Sequence, residues 1–218
     1  MEKSVLFLEQ IFNDICRNSY PHEWDEDHVT FQLMRALRNL FGNRVIHFNG
    51  WSKMVQWQSF KNRGKQETSS GDIALLVNIQ FSTGENLKGV VSIEAKRSFN
   101  NGSFASMEQP QLDRIYGNLP HSQLLLYSHR TETYPLKFPD SSSWSSHMWI
   151  TPINTAKELN KQIKIEDNWK LLRTSLPFTK FLTSRVFWGL DLDFREEVYR
   201  DIVSGIDRVV DPAYLGVV

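Results

Sequence analysis

Residues 70–97 read SGDIALLVNIQFSTGENLKGVVSIEAKR, and this stretch decides the fold of the chain. Two apolar runs, 72–81 and 88–96, flank the turn-forming segment 82–86. Apolar runs of this length on either side of a turn predict two β-strands joined as a hairpin. Folding the chain back about Gly84 pairs residues whose numbers sum to about 168, which sets Asp72 opposite Lys96.

The predicted hairpin has one apolar face and one face that carries charge. Alternate residues of a strand point to opposite faces of a sheet. The odd-numbered face is apolar and is predicted to be the core: Ile73, Leu75, Val77, Ile79, Phe81, Val91, Ile93 and Ala95. The even-numbered face carries Asp72, Glu94 and Lys96. Glu94 and Lys96 are two residues apart, so their α-carbons lie roughly 6.5 to 7 Å from one another.

Two carboxylates and one ammonium on a shared face indicate a metal-dependent hydrolytic site. Carboxylates held close together repel unless positive charge lies between them, and their hard oxygens suit Mg²⁺ or Mn²⁺. Such an ion would polarise a phosphoryl oxygen and lower the pKa of a bound water, while Lys96 orients that water or stabilises the developing charge. The alternative is a solvated hairpin face whose charges pair only weakly. The conjunction of Gly-Asp, hairpin and Glu-x-Lys favours the catalytic interpretation.

The tripeptides at 70–72 and 94–96 resemble the motif of the PD-(D/E)xK, or restriction-endonuclease-like, phosphodiesterases. The resemblance covers roughly residues 25–153 and identifies a superfamily rather than one of its members. It implies an α/β fold in which a mixed β-sheet is flanked by helices. It also implies hydrolysis of nucleic acid that depends on Mg²⁺ or Mn²⁺.

The resemblance assigns a role to each residue of the motif. It implies that Asp72 and Glu94 are metal ligands, that the carbonyl of Ala95 adds a further ligand, and that Lys96 lies beside the attacking water. Gly71 stands where the family motif has its proline. This replacement is common in the family and leaves the chemistry intact, because the proline is not a ligand.

A carboxylate outside the motif is a further candidate. Residues 26–41 carry apolar side chains at helical spacing, and Gly42 follows, so the pattern predicts a helix over 26–41. Family members commonly carry a carboxylate on the first core helix, and Glu26 is the best placed residue for that role. Alternatively, Asp25 caps the helix while Glu26 and Asp27 interact only with the helix dipole.

A second predicted helix, over 107–117, begins near Pro110. In many relatives the corresponding helix supplies a glutamine or tyrosine to the site, which makes Gln111 a candidate. Gln111 and Tyr116 are one residue farther apart than the spacing expected from one branch of the family.

The order of the remaining elements predicts an α/β fold around the central hairpin. The patterns give helices over 3–18 and 26–41, strands over 44–48 or 53–58, 72–81 and 88–96, a helix over 107–117, and strands over 123–128 and 147–153. We expect residues 1–153 to form the nuclease core with its N-terminal helices. Residues 154–218 are predicted to be a helical C-terminal extension packed on that core.

Composition limits the binding surfaces. The chain has 25 basic and 25 acidic residues, so its overall charge offers no attraction for nucleic acid and any such surface must be local. Lys61, Arg63 and Lys65 precede the Asp72 strand, and Arg97 follows Lys96. These four cations are candidates for phosphate contacts, with solvated surface residues as the alternative. The single cysteine, Cys16, excludes an intrachain disulfide and a multi-cysteine metal site.

Three classes of function remain open at the level of sequence. The first is a DNA nuclease, with DNA favoured over RNA, serving as the cleaving subunit of a restriction, anti-phage defence or repair assembly. The second is a catalytically silent nuclease-fold module that binds nucleic acid or protein. The third is an interaction protein that forms a homodimer or a heteromer through its aromatic C-terminal helices. No run approaches eighteen apolar residues, which predicts a cytoplasmic protein without a membrane partner.

Overall fold

The computed structural model describes residues 2–41, 54–61, 71–80, 84–104, 107–133, 145–163 and 165–206. The helices are α1 (Glu2–Ser19), α2 (Glu26–Phe41), α3 (Gln109–Asn118), α4 (Ile153–Asn160), α5 (Phe178–Ser184) and α6 (Glu196–Ile206), with 3₁₀ helices at Ile165–Thr174 and Val186–Trp188. The strands are β1 (Met54–Lys61), β2 (Ile73–Gln80), β3 (Asn86–Arg97), β4 (Gln123–Thr133), β5 (Ser145–Pro152) and β6 (Leu176–Pro177).

The strands form one mixed sheet in chain order, β1-β2-β3-β4-β5-β6. β3 and β4 are parallel, and every other described pair is antiparallel. A parallel pair needs a crossover connection, and α3 provides it between β3 and β4. The predicted mixed α/β sheet with flanking helices is therefore confirmed. The later of the two alternatives for the first strand is present as β1, whereas residues 44–48 lie outside the described residues.

The register of the β2–β3 hairpin differs from the predicted one by two residues. Ile73 pairs with Ile93, whereas the predicted register pairs it with Ala95. Asp72 therefore precedes the first paired residue of β2 and lies next to Glu94 instead of Lys96. Because side chains alternate with a period of two, a slip of two residues keeps each one on its predicted face.

The odd-numbered face of the hairpin is the main core, as predicted. Within the described chain it packs against α1, α2 and α5, with fully buried Phe12, Leu33 and Phe178 among the contacting residues. Phe81, predicted for the same face, lies outside the described residues. The apolar side of α2 contributes Val29, Leu33, Met34 and Leu37 to this core because these residues recur at helical spacing.

The even-numbered face is covered around the motif, which contradicts the alternative of a solvated hairpin face. Ala74, Leu76 and Val90 pack against Val198 and Ile202 of α6. Farther along the same face, β4 packs against α3 and α4 through a second cluster that includes Leu124, Leu126, Leu112, Ile115 and Ile153. Asp72, Glu94 and Lys96 are consequently buried polar residues, not solvated ones.

Residues beyond 153 are not purely helical, because β6 adds a short strand beside β5. Phe178, Phe181 and Leu182 of α5 belong to the same core cluster as α1 and α2. The division of the chain into a core and an extension at residue 153 stays a prediction. Among the described helices, none has both the length and the apolar character needed to cross a bilayer.

Candidate functional site

Asp72 is held against β3 by a close approach of the two strands. The N–H of Ala95 donates a hydrogen bond to Asp72 Oδ2 at 2.7 Å. Gly71, just before it, has φ +80°, and a Cβ at this position would lie 2.7 Å from the carbonyl oxygen of Ile93. Proline is fixed near φ −65° and cannot adopt this backbone. Glycine, where the resembled motif has a proline, is therefore what this local path requires.

Glu94 is the most deeply buried carboxylate of the cluster, with 1% of its surface exposed. Its Oε1 accepts hydrogen bonds from Lys96 Nζ and, at 2.6 Å, from Nε2 of Gln111 in α3. Its Oε2 is buried and has no hydrogen-bond partner. A buried carboxylate oxygen without a partner is costly, so a ligand that approaches Oε2 would relieve an existing penalty.

Lys96 connects Glu94 to the start of α2. Its Nζ lies 3.5 Å from Oε1 of Glu26, whose carboxylate also accepts a hydrogen bond from the backbone N–H of Arg97. Asp25 caps the helix, since its Oδ1 accepts from the N–H groups of Asp27 at 2.9 Å and His28 at 3.3 Å. Asp25 thus performs the capping role, while Glu26 reaches the cluster as the family resemblance suggested.

Trp24 holds the start of α2 in place and was not identified from the sequence. Its indole N–H donates to the carbonyl oxygen of Ser98 at 2.7 Å, two residues beyond Lys96. A second link joins Thr30 of α2 to the hydroxyl of buried Tyr127 in β4 at 3.0 Å. The only sequence signal for Trp24 is a tryptophan two residues before the candidate carboxylate, which core packing explains equally well.

The cluster carries more negative than positive charge, and burial strengthens the effect. Burial raises the pKa of Glu94 from 4.5 to about 7, and the nearby Asp72 carboxylate adds to this rise, although Lys96 opposes it. Burial also raises the pKa of Glu26. Burial alone would lower the pKa of Lys96, but the carboxylates of Glu94, Glu26 and Asp72 outweigh it and raise that pKa. Lys96 is therefore a stable ammonium.

The donor set suits a hard divalent cation of the Mg²⁺ type. Three carboxyl groups face one ammonium, and the unpartnered Oε2 of Glu94 is a ready oxygen ligand. In the described part of the chain, no group of three or more His, Cys, Asp or Glu side chains is arranged to hold a metal. Mg²⁺ is commonly bound by one or two carboxylates, with water and substrate phosphate completing its shell. Asp72 and Glu94 fit that pattern, with the carbonyl of Ala95 as the further ligand expected.

The four candidate cations are not equally placed. Arg97 is half-buried and directly follows Lys96, so it borders the cluster. Lys61 is the last residue of β1 and its backbone pairs with Ile73, which places it one residue along from Asp72. Arg63 and Lys65 lie outside the described residues. Tyr116 does not join the cluster, because its ring packs 4.1 Å from Nζ of Lys157.

Fold and cluster together define a mixed α/β protein with buried acidic groups and a lysine around the end of its third strand. Comparisons with protein-family models, with curated proteins and with solved structures found no match for this chain. Any functional assignment therefore rests on the motif and on the geometry around Glu94.

The raised pKa of Glu94 predicts an unusual pH dependence of stability. Between about pH 4.5 and 7 the folded protein holds this proton more tightly than the unfolded chain does. The free energy of unfolding should consequently fall as the pH rises through this window. Glu94→Gln should flatten this slope, whereas Glu85→Gln at an exposed position should not. Urea unfolding at several pH values without divalent ions measures the slope of the unfolding free energy against pH. An unchanged slope in Glu94→Gln would contradict the prediction.

Proposed function

We propose that the protein is a Mg²⁺- or Mn²⁺-dependent nuclease of the restriction-endonuclease-like fold, hydrolysing phosphodiester bonds of DNA by attack of a metal-activated water. The observation that supports this most is the buried Glu94 carboxylate, which has one oxygen fixed by Lys96 and Gln111 and the other without a partner. A site of this kind sacrifices stability for the ability to bind a cation, which a purely structural ion pair has no reason to do.

Each side chain of the cluster has a definite task in this proposal. Gln111 fixes the orientation of Glu94 through its 2.6 Å hydrogen bond. The N–H of Ala95 fixes Asp72 in the same way. A divalent ion bound by Asp72 and Glu94 would lower the pKa of a water and polarise a phosphoryl oxygen. Burial keeps bulk water away from these groups and so strengthens their electrostatic effect.

Lys96 has two carboxylate partners, and this matters for its task. It contacts Glu94 directly and lies 3.5 Å from Glu26. If a cation takes the place of the ammonium beside Glu94, Lys96 keeps Glu26 as its partner. Its positive charge then remains close to the site, where it stabilises negative charge that develops on a phosphate. Glu26 is in this sense a positioning residue for Lys96.

The second candidate is a catalytically silent module that binds nucleic acid or protein. It is favoured by the direct contact of Lys96 with Glu94, which already supplies a positive partner for that carboxylate. A silent module would bind nucleic acid without divalent ions and would not cleave it. The cleavage measurement below therefore separates the two candidates.

Cleavage of three substrates tests the proposal directly. Supercoiled plasmid, linear duplex and single-stranded DNA are incubated with the purified protein in Mg²⁺, in Mn²⁺ and in EDTA. A nuclease cleaves at least one of these three substrates in the presence of Mg²⁺ or Mn²⁺ and cleaves none of them in EDTA. Matching RNA substrates decide between the two nucleic acids. Complete absence of divalent-dependent cleavage across the panel leaves the silent module as the better account.

Thermal melts test metal binding without a substrate. An ion that binds only the native state stabilises it by mass action, and at a hundredfold excess over Kd the wild type should gain about 5 to 10 °C. Asp72→Asn and Glu94→Gln should gain little, because each lacks a ligand. Without metal, both variants should be as stable as the wild type or more so, since the substitution removes repulsion between buried carboxylates. A wild type that does not respond to Mg²⁺ or Mn²⁺ contradicts this prediction.

A further inference from the structure

Beyond Lys96, the end of β3 carries an exposed aromatic side chain next to a cation. The Phe99 side chain follows Arg97 by two residues and is 42% exposed. The guanidinium carbon of Arg97 lies 5.3 Å from the centroid of the Phe99 ring. An arginine at this distance from an aromatic ring gives a flat surface that is apolar and positively charged at once.

A second flat pair includes Tyr20, the residue that follows α1. The rings of Tyr20 and His129 stack with their centroids 4.7 Å apart and an interplanar angle of 15°. Tyr20 is 36% exposed, and Trp24 packs edge-on against both rings. We call Tyr20, Arg97, Phe99 and His129 the aromatic surface.

Ser98 connects the two pairs through its hydrogen bonds. Its Oγ is hydrogen bonded to Nδ1 of His129 at 2.8 Å, and its carbonyl oxygen accepts the indole N–H of Trp24. Phe99 is the next residue, so both pairs are fixed to the same short segment. Sequence patterns gave no indication of this, because the four residues come from three separate parts of the chain.

The segment that presents Phe99 is braced by hydrogen bonds. The N–H of Phe99 donates to the carbonyl oxygen of Ser103 at 2.6 Å, and Gly102 donates back to Phe99 at 2.8 Å. Arg130 holds the tip of the turn through the carbonyl oxygen of Asn100 at 2.8 Å. A surface fixed in this way loses little conformational entropy when a ligand stacks on it.

The aromatic surface borders the carboxylate–lysine cluster. Arg97 directly follows Lys96, and its backbone N–H is hydrogen bonded to Glu26. Arg97 alternates with Lys96 along β3, so its side chain points to the other face of the sheet, and the surface and the cluster are connected through this backbone segment.

Charges around this surface disfavour a duplex. Glu23 and Asp25 lie at the start of α2 beside Tyr20 and Trp24, and Glu23 is paired with His28 at 3.1 Å. A duplex carries one negative charge per roughly 1.7 Å of its axis and binds mainly to positive surfaces. Stacking on exposed rings requires no net positive charge, but it does require bases that are not already stacked inside a duplex.

We propose that the aromatic surface binds the unpaired bases of single-stranded nucleic acid. This binding does not depend on the proposed nuclease function. Arg97 supplies a cation for a phosphate or a base face, and Phe99 and Tyr20 supply ring faces. Because every base has a π face, the binding should show little sequence preference.

Binding in EDTA tests the surface without cleavage. Fluorescence anisotropy compares a short labelled single strand, an abasic strand of equal length and charge, and a blunt duplex. Phe99→Ala and Tyr20→Ala should each weaken single-strand binding about tenfold and leave duplex binding unchanged. The abasic strand should bind the wild type as weakly as the normal strand binds Phe99→Ala. Phe7→Ala is the matched control, because Phe7 is 57% exposed on α1 and belongs to neither the cluster nor the surface.

The outcomes separate this inference from the proposed function. Equal losses for single strand and duplex, equal binding of the normal and abasic strands, or a Phe99→Ala affinity that matches Phe7→Ala would each overturn the aromatic surface. Loss of single-strand affinity in Phe99→Ala together with no cleavage in Mg²⁺ would support the surface and refute the nuclease. Cleavage in Mg²⁺ together with unaltered single-strand binding in Phe99→Ala would support the nuclease and refute the aromatic surface.

Discussion

Glu94→Gln is expected to reduce divalent-dependent cleavage by about a thousandfold or more, an effect as large as that of removing Asp72 or Lys96. The substitution preserves size and burial but replaces the partnerless Oε2, the oxygen best placed to bind a cation, with a group that has no negative charge. Asp72→Ala and Lys96→Ala should also abolish cleavage, because a metal site fails when any one of its groups is missing. Initial rates on the most rapidly cleaved substrate measure the effect.

Two controls make this prediction specific. Gln111→Ala removes the hydrogen bond that orients Glu94 but no ligand, so it should lower the rate by less than Glu94→Gln does. Glu85→Gln changes an exposed carboxylate outside the cluster and should leave the rate unaltered. Circular dichroism confirms that each variant is folded. Wild-type rates in folded Glu94→Gln or Asp72→Ala would remove the nuclease proposal.

The sequence was sufficient to predict the secondary structure around the site, because the spacing at which apolar residues recur distinguishes helices from strands. The spacing in 26–41 predicts α2 to the residue, and the alternation in the hairpin predicts which face forms the main core. The exact register could not be predicted in this way. Two registers that differ by two residues place the same side chains on the same faces, and the turn-rich segment 82–86 allows either to close.

The sequence predicted which residues come together at the site only where the motif itself implies it. The hairpin brings Asp72 close to Glu94, and the resemblance to the phosphodiesterases suggested Glu26 and Gln111, which the structure places within hydrogen-bond or ion-pair distance of the cluster. The Trp24–Ser98 hydrogen bond and the cover provided by α6 depend on contacts between distant parts of the chain. Periodicity describes one element at a time and contains no information about such contacts.

Ile93→Asp is expected to cause the largest loss of stability of any substitution considered, enough to unfold the protein or nearly so. Ile93 is fully buried in the main core and pairs with Ile73. An aspartate there would bury an unpaired charge and leave a cavity, at a cost of several kcal/mol, which is a large part of the total stability of a typical domain. Urea unfolding followed by circular dichroism measures the change.

The neighbouring residue provides the sharpest comparison for Ile93→Asp. Glu94 is one position farther along the same strand and is equally buried, but it points to the opposite face, where polar partners surround it. Glu94→Gln should keep most of the stability that Ile93→Asp loses, and Lys88→Asp at an exposed position of β3 should lose little. Equal losses for Ile93→Asp and Glu94→Gln would mean that the two faces of the hairpin are interchanged. The cluster would then lie in the core, where no cation or phosphate could reach it.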